Sequence, residues 1–115
     1  MSIYHLAHVA DWTAAVNDGR YTVSTRGADL AQVGFIHASH AHQVSTVAEF
    51  LYADDPEELC VLEVDTEAAI AAGVELIEED GGEGEFFPHI YGAIDPNWVT
   101  RVWPARFADG RFIWG

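Results

Sequence analysis

The sequence predicts an α+β fold, a single domain with a bent or split, mostly antiparallel β-sheet and two to three helices packed on it. Three observations lead to this prediction. Short runs of β-branched and aromatic residues outnumber the stretches with helical periodicity. Short helices interrupt the strands early in the chain, whereas a hairpin pattern ends it. The length of 115 residues, 50% of them hydrophobic, is enough for one core without disulfides.

The first elements are a strand, a helix and a second strand. Residues 3–6 are apolar and include a β-branched residue, which favours a strand. A helix follows, in which Asp11 can cap the start, residues 12–16 carry apolar side chains at helical spacing, and Gly19 favours the left-handed end. Residues 20–25 are rich in strand formers.

The next strand and helix carry several polar side chains. Residues 34–38 predict a short strand, and Ser39 then stands where a helix cap belongs. The helix from about residue 40 to residue 52 places its apolar side chains on one stripe.

The second half begins with the strongest strand. Leu59–Asp65 is a nearly continuous apolar run, which indicates a buried central position. Thr66 can cap a short helix over 67–72, Val74–Ile77 predicts a further strand, and residues 78–85 predict a flexible acidic loop. A final hairpin joins residues 99–107 to residues 111–114 through an Asp-Gly turn.

The charge balance excludes several classes of partner. The chain has 19 acidic residues, five arginines and no lysine, so its net charge is −14, and residues 54–100 hold fourteen acids and no base. Phosphate backbones and anionic membranes would be repelled by such a surface. We therefore expect no nucleic-acid and no membrane partner; the sequence does not indicate a protein partner.

The single cysteine and the N-terminus point to a cytoplasmic location. Cys60 cannot form an internal disulfide, and its apolar neighbours predict a packing role. The first residues lack the basic start and apolar run of a signal peptide, and no apolar stretch reaches the roughly 18 residues of a membrane span.

Histidines are the first candidate site residues. On a strand, His37 and Ser39 point to the same side because side chains alternate, and His5 on the first strand could face His37. Two alternatives stay open, since a histidine held in the core by one hydrogen bond and a serine that only caps a helix have the same pattern. Six histidines are present, at positions 5, 8, 37, 40, 42 and 89.

No metal site is predicted. His37, His40 and His42 lie within six residues, but on a helix His40 and His42 point about 200° apart. The HExxH and CxxC patterns are absent.

The segment Phe86–Gly92 is the most informative stretch. Its proline fixes the backbone just before His89, and in an extended chain His89 and Tyr91 share a face. We expect one cleft lined by His5, His37, Ser39, His89 and Tyr91. A buried aromatic turn with satisfied polar tips is the alternative.

Three segments carry a resemblance to a known family. Ile3–Leu6 (IYHL), Gly34–Ser39 (GFIHAS) and above all Phe86–Gly92 (FFPHIYG) resemble the bacterial domain of unknown function 952 family, in order and spacing over nearly the whole chain. That family is grouped remotely with the ADP-ribosyltransferase-like folds. The resemblance therefore implies an ADP-ribosyltransferase-like split sheet whose cleft could bind NAD.

The resemblance also implies roles for single residues. Glu79 and His37 are the implied catalytic residues, with Glu79 near the anomeric carbon of a ribose. His5 would bond ribose hydroxyls, and Tyr91 would stack on a planar ring. Where family members often have a Trp-Glu pair and an arginine in the glycine loop, this chain has Glu78-Glu79 and Glu83.

Two functions of different classes follow. One is a non-catalytic domain that binds a small ligand, NAD or a related nucleotide among the candidates. The other is an ADP-ribosyltransferase-like enzyme that cleaves the nicotinamide–ribose bond. In either case the phosphates need a cation, for which Arg26 is the candidate, and we expect NAD to bind no tighter than about 100 µM.

Overall fold

The computed structural model describes residues 1–115 and confirms the α+β class, with a curled antiparallel sheet and four helices. The strands are β1 (Ser2–His8), β2 (Val23–Thr25), β3 (Ala28–Asp29), β4 (Ile36–His37), β5 (Leu59–Asp65), β6 (Glu75–Asp80), β7 (Phe86–Tyr91), β8 (Val99–Ala108) and β9 (Arg111–Trp114). The helices are α1 (Val9–Asp18), α2 (Leu30–Val33), α3 (Val44–Leu51) and α4 (Thr66–Ala71). The expectation of two to three helices is wrong because α2, a single four-residue turn, is too short to have a periodic signal.

The sheet is split and joined at one point. Four strands lie in the order β1-β5-β8-β9, three in the order β4-β7-β6, and β2 pairs with β3. Tyr4 and Ser39 exchange two backbone hydrogen bonds of 2.9 and 2.7 Å, so β1 meets the segment after β4. This junction brings the polar residues of β1 and β4 together.

Strand β5 lies inside the larger sheet, with the bounds that its apolar run predicts. Leu62 and Val64 belong to a core cluster that also contains Ile36 and Ile90 of the smaller sheet. Val61, on the opposite face, packs in a second cluster with residues of α3. Burial on both faces explains why the run does not alternate.

Several element boundaries differ from the sequence-based prediction. Ser39 is held in the junction with Tyr4 and does not cap a helix, so α3 starts only at Val44, after a 3-10 turn at Ala41–Gln43. Asp65, not Thr66, caps α4, because its carboxylate accepts from the Glu67 N–H at 3.1 Å.

The other two differences concern α1 and the acidic loop. Asp11 lies in the first turn of α1, which begins directly after His8. Glu78, Glu79 and Asp80 were expected in the loop but extend β6, where pairing with β7 satisfies their backbone groups. Their charged side chains suit an edge strand, which has no partner on its outer side.

The C-terminal hairpin forms as its sequence predicts. Asp109 and Gly110 both have positive φ, 50° and 77°, as a type I′ turn requires. No helix in the chain has the length and apolar character needed to cross a bilayer.

Candidate functional site

The smaller sheet presents an apolar face to the core and a polar face to a cleft. Ile36, Ile90 and Leu76 are paired across the three strands, and all three pack in or against the core. Alternation sends the next residues, His37 and His89, to the other face, where they are direct cross-strand partners.

This polar face forms the floor of a cleft of about 790 Å³. One wall is the apolar side of α3, including Val47 and Phe50, and the other is the loop between β6 and β7 with Phe87. Four of the predicted site residues line it, namely His5, His37, Ser39 and His89. The acidic residues on the lining are Asp80, Glu83 and Glu85, and it contains no arginine.

His5 is fully engaged by the protein. Its Nδ1 lies 2.6 Å from the His37 carbonyl oxygen and its Nε2 lies 2.9 Å from the Tyr21 hydroxyl. Because a carbonyl only accepts, Nδ1 carries the proton, and Nε2 accepts from Tyr21. Burial lowers the pKa of His5 to about 4, so the ring is neutral at pH 7. No ring nitrogen remains for a ribose hydroxyl, and the structure gives His5 the role of fixing the His37 backbone.

The protonation pattern of His37 follows from its neighbour Ser24. The Ser24 hydroxyl donates its single proton to the Phe35 carbonyl, so it can only accept from His37 Nδ1, 3.0 Å away. Burial, and then the proximity of His89, lower the pKa of His37. His37 therefore has an unprotonated Nε2 with no protein partner.

His89 is oriented by a carboxylate. Its Nδ1 lies 2.7 Å from Glu79 Oε1, and the Tyr91 hydroxyl donates to the same oxygen. Glu79 lies two positions from the residue that pairs with His89, and diagonal neighbours on one face of a sheet can reach each other. The hydrogen bonds from Tyr91 and His89 hold the pKa of Glu79 below its usual value. Glu79 is therefore ionised at neutral pH, and His89 keeps Nε2 for the cleft.

Two aromatic contacts complete the floor. Phe35 stacks on His89 with ring centroids 3.9 Å apart, and the His37 and His89 rings are 5.5 Å apart. Phe35 and Ser24 were not among the residues predicted for the site. Phe35 stands two residues before His37, which is the signal for a shared face, whereas nothing local links Ser24 to His37.

Three predicted site residues lie outside the cleft lining. Tyr91 and Glu79 are absent from the lining; the Tyr91 hydroxyl donates to Glu79, and the Tyr91 ring lies 5.4 Å from the Phe35 ring. Arg26 has its guanidinium 2.7 Å from Asp54 and 3.1 Å from Asp55, and it also donates to the Leu51 carbonyl. It is therefore already neutralised by carboxylates of the chain.

The remaining histidines do not form a metal centre. His40 and His42 stack with parallel rings 6.2 Å apart, which corrects the divergence expected on a helix, because His40 precedes a 3-10 turn. No group of three His, Cys, Asp or Glu side chains is placed to hold a metal ion. Cys60 is buried in the core, where burial raises its pKa to about 11.

Comparison with known proteins agrees with the resemblance seen in the sequence. Residues 6–102, which include the strands that carry His37 and His89, match the family described as protein of unknown function (DUF952). The chain belongs to this family.

Solved structures of another protein resemble this DUF952 chain over nearly its whole length. The crystal structure of protein CC0527 from Caulobacter crescentus has 32% sequence identity and a TM-score of 0.81, and the match covers 98% of this chain and 94% of that one. A crystal structure of its double mutant has the same values. The solution NMR structure of CC0527 has a TM-score of 0.75 and 32% identity, covering 96% and 90% of the two chains.

No protein of curated function matches the chain. The family and the fold are thus established, whereas ADP-ribosyltransferase-like chemistry stays a prediction.

Proposed function

We propose that the cleft binds a small organic ligand that donates hydrogen bonds to Nε2 of His37 and of His89. The observation that supports this most directly is the pair of neighbouring imidazoles on one cleft floor, each with Nδ1 held by the protein and Nε2 without a protein partner. Acceptors left free on a concave surface are typical of binding sites, where a few polar groups orient a ligand.

The charges around the cleft select against anions. Asp80, Glu83 and Glu85 stand on one wall, and no lysine or arginine lines the cleft. A carboxylate or phosphate on a ligand would be repelled by these groups, whereas an ammonium group would be attracted. The ligand is therefore neutral or cationic.

The opposite wall favours an apolar portion of the ligand. Phe50 is 85% exposed and lines the cleft together with Val47 of α3. A ligand that covered this surface would remove apolar area from water at roughly 25 cal/mol per Å². An aromatic ring fits this requirement, with the polar groups directed at the histidines.

NAD is the ligand that the family resemblance implies. Its phosphates fit this cleft poorly. A pyrophosphate needs cations or exposed backbone N–H groups, and the lining offers carboxylates. Arg26, the candidate partner, is already paired with Asp54 and Asp55. The nicotinamide ribose half has hydroxyl donors for the histidines, so we keep the expectation of a dissociation constant no tighter than about 100 µM.

The geometry favours a binding site over an enzyme that cleaves the nicotinamide–ribose bond. That reaction needs a carboxylate near the anomeric carbon, and Glu79 Oε1 instead accepts hydrogen bonds from His89 and Tyr91 outside the lining. Release of nicotinamide from NAD by the pure protein would favour the enzyme.

Three probes that each carry a phenol group but differ in charge test the proposal. Tyramine is cationic, 4-ethylphenol is neutral, and 3-(4-hydroxyphenyl)propionate is anionic at neutral pH. We expect amide chemical-shift changes around His37 and His89 with tyramine and with 4-ethylphenol, and at least about tenfold weaker binding of the anion. His37→Ala should weaken tyramine binding, and His42→Ala, on an exposed ring outside the lining, should not.

Two results would contradict the proposal. One is the absence of any shift around the cleft with all three phenols at millimolar concentration. The other is binding of the anion as tightly as tyramine, which would mean that the wall carboxylates do not control the ligand. In parallel, NAD is titrated into the wild type and into the Arg26→Ala variant.

A further inference from the structure

The Tyr91, Glu79 and His89 side chains form a hydrogen-bonded chain that leads to the cleft. Both Tyr91 and His89 donate to the same oxygen of Glu79, and only His89 of the three lines the cleft. Tyr91 and Glu79 are partly exposed at the outer end, whereas only 7% of the His89 surface remains accessible. In this hydrogen-bonded series, the imidazole lines the cleft and the carboxylate lies on the side of the imidazole away from the cleft.

This order decides which nitrogen of His89 can react. A carboxylate only accepts, so Nδ1 keeps its proton and Nε2 holds the lone pair. If Nε2 takes a proton, the positive charge forms 2.7 Å from an ionised carboxylate. The carboxylate thus fixes both the orientation and the tautomer of this ring.

The other groups around His89 do not compete for this proton. His37 faces it from β4 and has its own Nδ1 bonded to Ser24, while both ring nitrogens of His5 on β1 are bonded to the His37 carbonyl and the Tyr21 hydroxyl. Phe35 covers one ring face. The remaining charged groups, Asp80, Glu83 and Glu85, are on the cleft wall and favour a positive charge within it.

We propose that His89 is a general base in this cleft, which takes a proton from a hydroxyl group of a neutral or cationic ligand, with Glu79 as its positioning residue. The ligand O–H bond breaks, the electron pair stays on oxygen, and a new N–H bond forms at Nε2. His37 accepts a second hydrogen bond and holds the ligand in place. The inference rests on the proposed function, since it requires a ligand in the cleft.

The test measures the reactivity of the His89 lone pair without a natural substrate. Diethyl pyrocarbonate acylates the unprotonated nitrogen of imidazole, and mass spectrometry gives the rate for each histidine. At about pH 8, where an ordinary imidazole is neutral, Glu79→Gln should slow His89 acylation about fivefold, because the carboxylate charge is lost. Tyramine should protect His89 in the wild type.

A neighbouring carboxylate supplies the matched control. Glu78 is adjacent on β6, points to the opposite face, and pairs with His40 at 2.9 Å. Glu78→Gln should therefore leave His89 acylation unchanged. Tyr91→Phe removes a donor from Glu79 but keeps the carboxylate, so His89 should react at least as fast as in the wild type.

The outcomes separate the two proposals. Equal acylation of His89 in wild type and Glu79→Gln, both with native amide spectra, would overturn the general base. The general base is also overturned if His89 fails to react in the wild type while the exposed His42 is acylated. Dependence on Glu79 without tyramine protection would support the reactive histidine and contradict the proposed ligand site.

Discussion

At the scale of single residues, three histidines on or beside one sheet have different roles because their hydrogen bonds differ. His5 uses both ring nitrogens within the protein, whereas His37 and His89 use one each. The alternation of side chains predicts that His37 and His89 are placed on a common side of their strands. It does not predict the side-chain partners of His5 and His37, because Tyr21 and Ser24 come from a separate segment.

The buried state of His5 gives a dependence of stability on pH. Its pKa is about 4 in the folded chain against an ordinary 6.5, so between these values the unfolded chain binds more protons and the folded state loses stability as pH falls. We expect a contribution of about 3 kcal/mol, complete above pH 6.5 and lost by about pH 4.

Urea unfolding of two histidine variants measures this contribution. His5→Gln cannot titrate, so between pH 6.5 and pH 4.5 it should lose less stability than the wild type. His42→Gln, an exposed ring, should follow the wild-type slope. A His5→Gln slope equal to that of the wild type would mean that His5 is not held neutral.

The pair Asp54 and Asp55 gives a second residue-scale prediction. Both carboxylates pair with Arg26, but only Asp55 is buried, with 3% of its side chain exposed against 87% for Asp54, and only Asp55 also bonds to His8, at 2.6 Å. Asp55→Ala should cost about 2 kcal/mol because Arg26 and His8 both lose the carboxylate that they share. Asp54→Ala should cost much less, because its carboxylate is exposed to water.

Thermal or urea unfolding measures the loss of stability in the two variants. Equal losses for Asp54→Ala and Asp55→Ala would contradict the assigned burial. An unchanged affinity for the phenol probes in Asp54→Ala would agree with an Arg26 that acts outside the cleft.

At the scale of elements, the hairpin of β6 and β7 builds one wall of the cleft and part of its floor. Gly81 follows β6, and a side-chain carbon there would lie 2.5 Å from the Phe87 ring, which lines the cleft. Only glycine leaves room for this ring. The acidic composition of residues 78–85 predicts a loop. Backbone pairing with β7 nevertheless extends the strand to Asp80.

Gly81→Ala should therefore displace Phe87 and weaken tyramine binding about tenfold or more. Gly82→Ala is the neighbouring control, because its Cβ would meet no atom, although its positive φ of 119° makes it the more strained backbone. Calorimetric titration measures both. Stronger loss in Gly82→Ala than in Gly81→Ala would mean that loop strain, and not the Phe87 position, controls the site.

At the scale of the whole molecule, the net charge of −14 opposes folding. We expect the melting temperature to rise by about 5 °C between about 0.05 and 0.5 M NaCl, since salt screens the repulsion of exposed carboxylates. The variant Glu57→Gln/Glu58→Gln should show a smaller rise. A melting temperature that falls with salt would mean that attractive ion pairs dominate.

The overall fold was more predictable than the site. The apolar run of β5 and the Asp-Gly turn of the last hairpin are local signals, and both elements form as predicted. The junction of Tyr4 with Ser39 is a contact between distant segments, and it converts an expected helix cap into part of the sheet. Arg26 likewise has partners, Asp54 and Asp55, that no local pattern reveals.

A long-range ¹H–¹⁵N spectrum of the histidine rings at about pH 8, recorded with and without tyramine, shows which ring nitrogens carry a proton and which contact the ligand. His5, His37 and His89 should all carry the proton on Nδ1, and tyramine should shift Nε2 of His37 and His89 but leave Nε2 of His5, which is bonded to Tyr21, in place. A proton on Nε2 of His89, or a tyramine response at His5 in place of His37 and His89, would mean that these two imidazoles are not the free acceptors of the cleft.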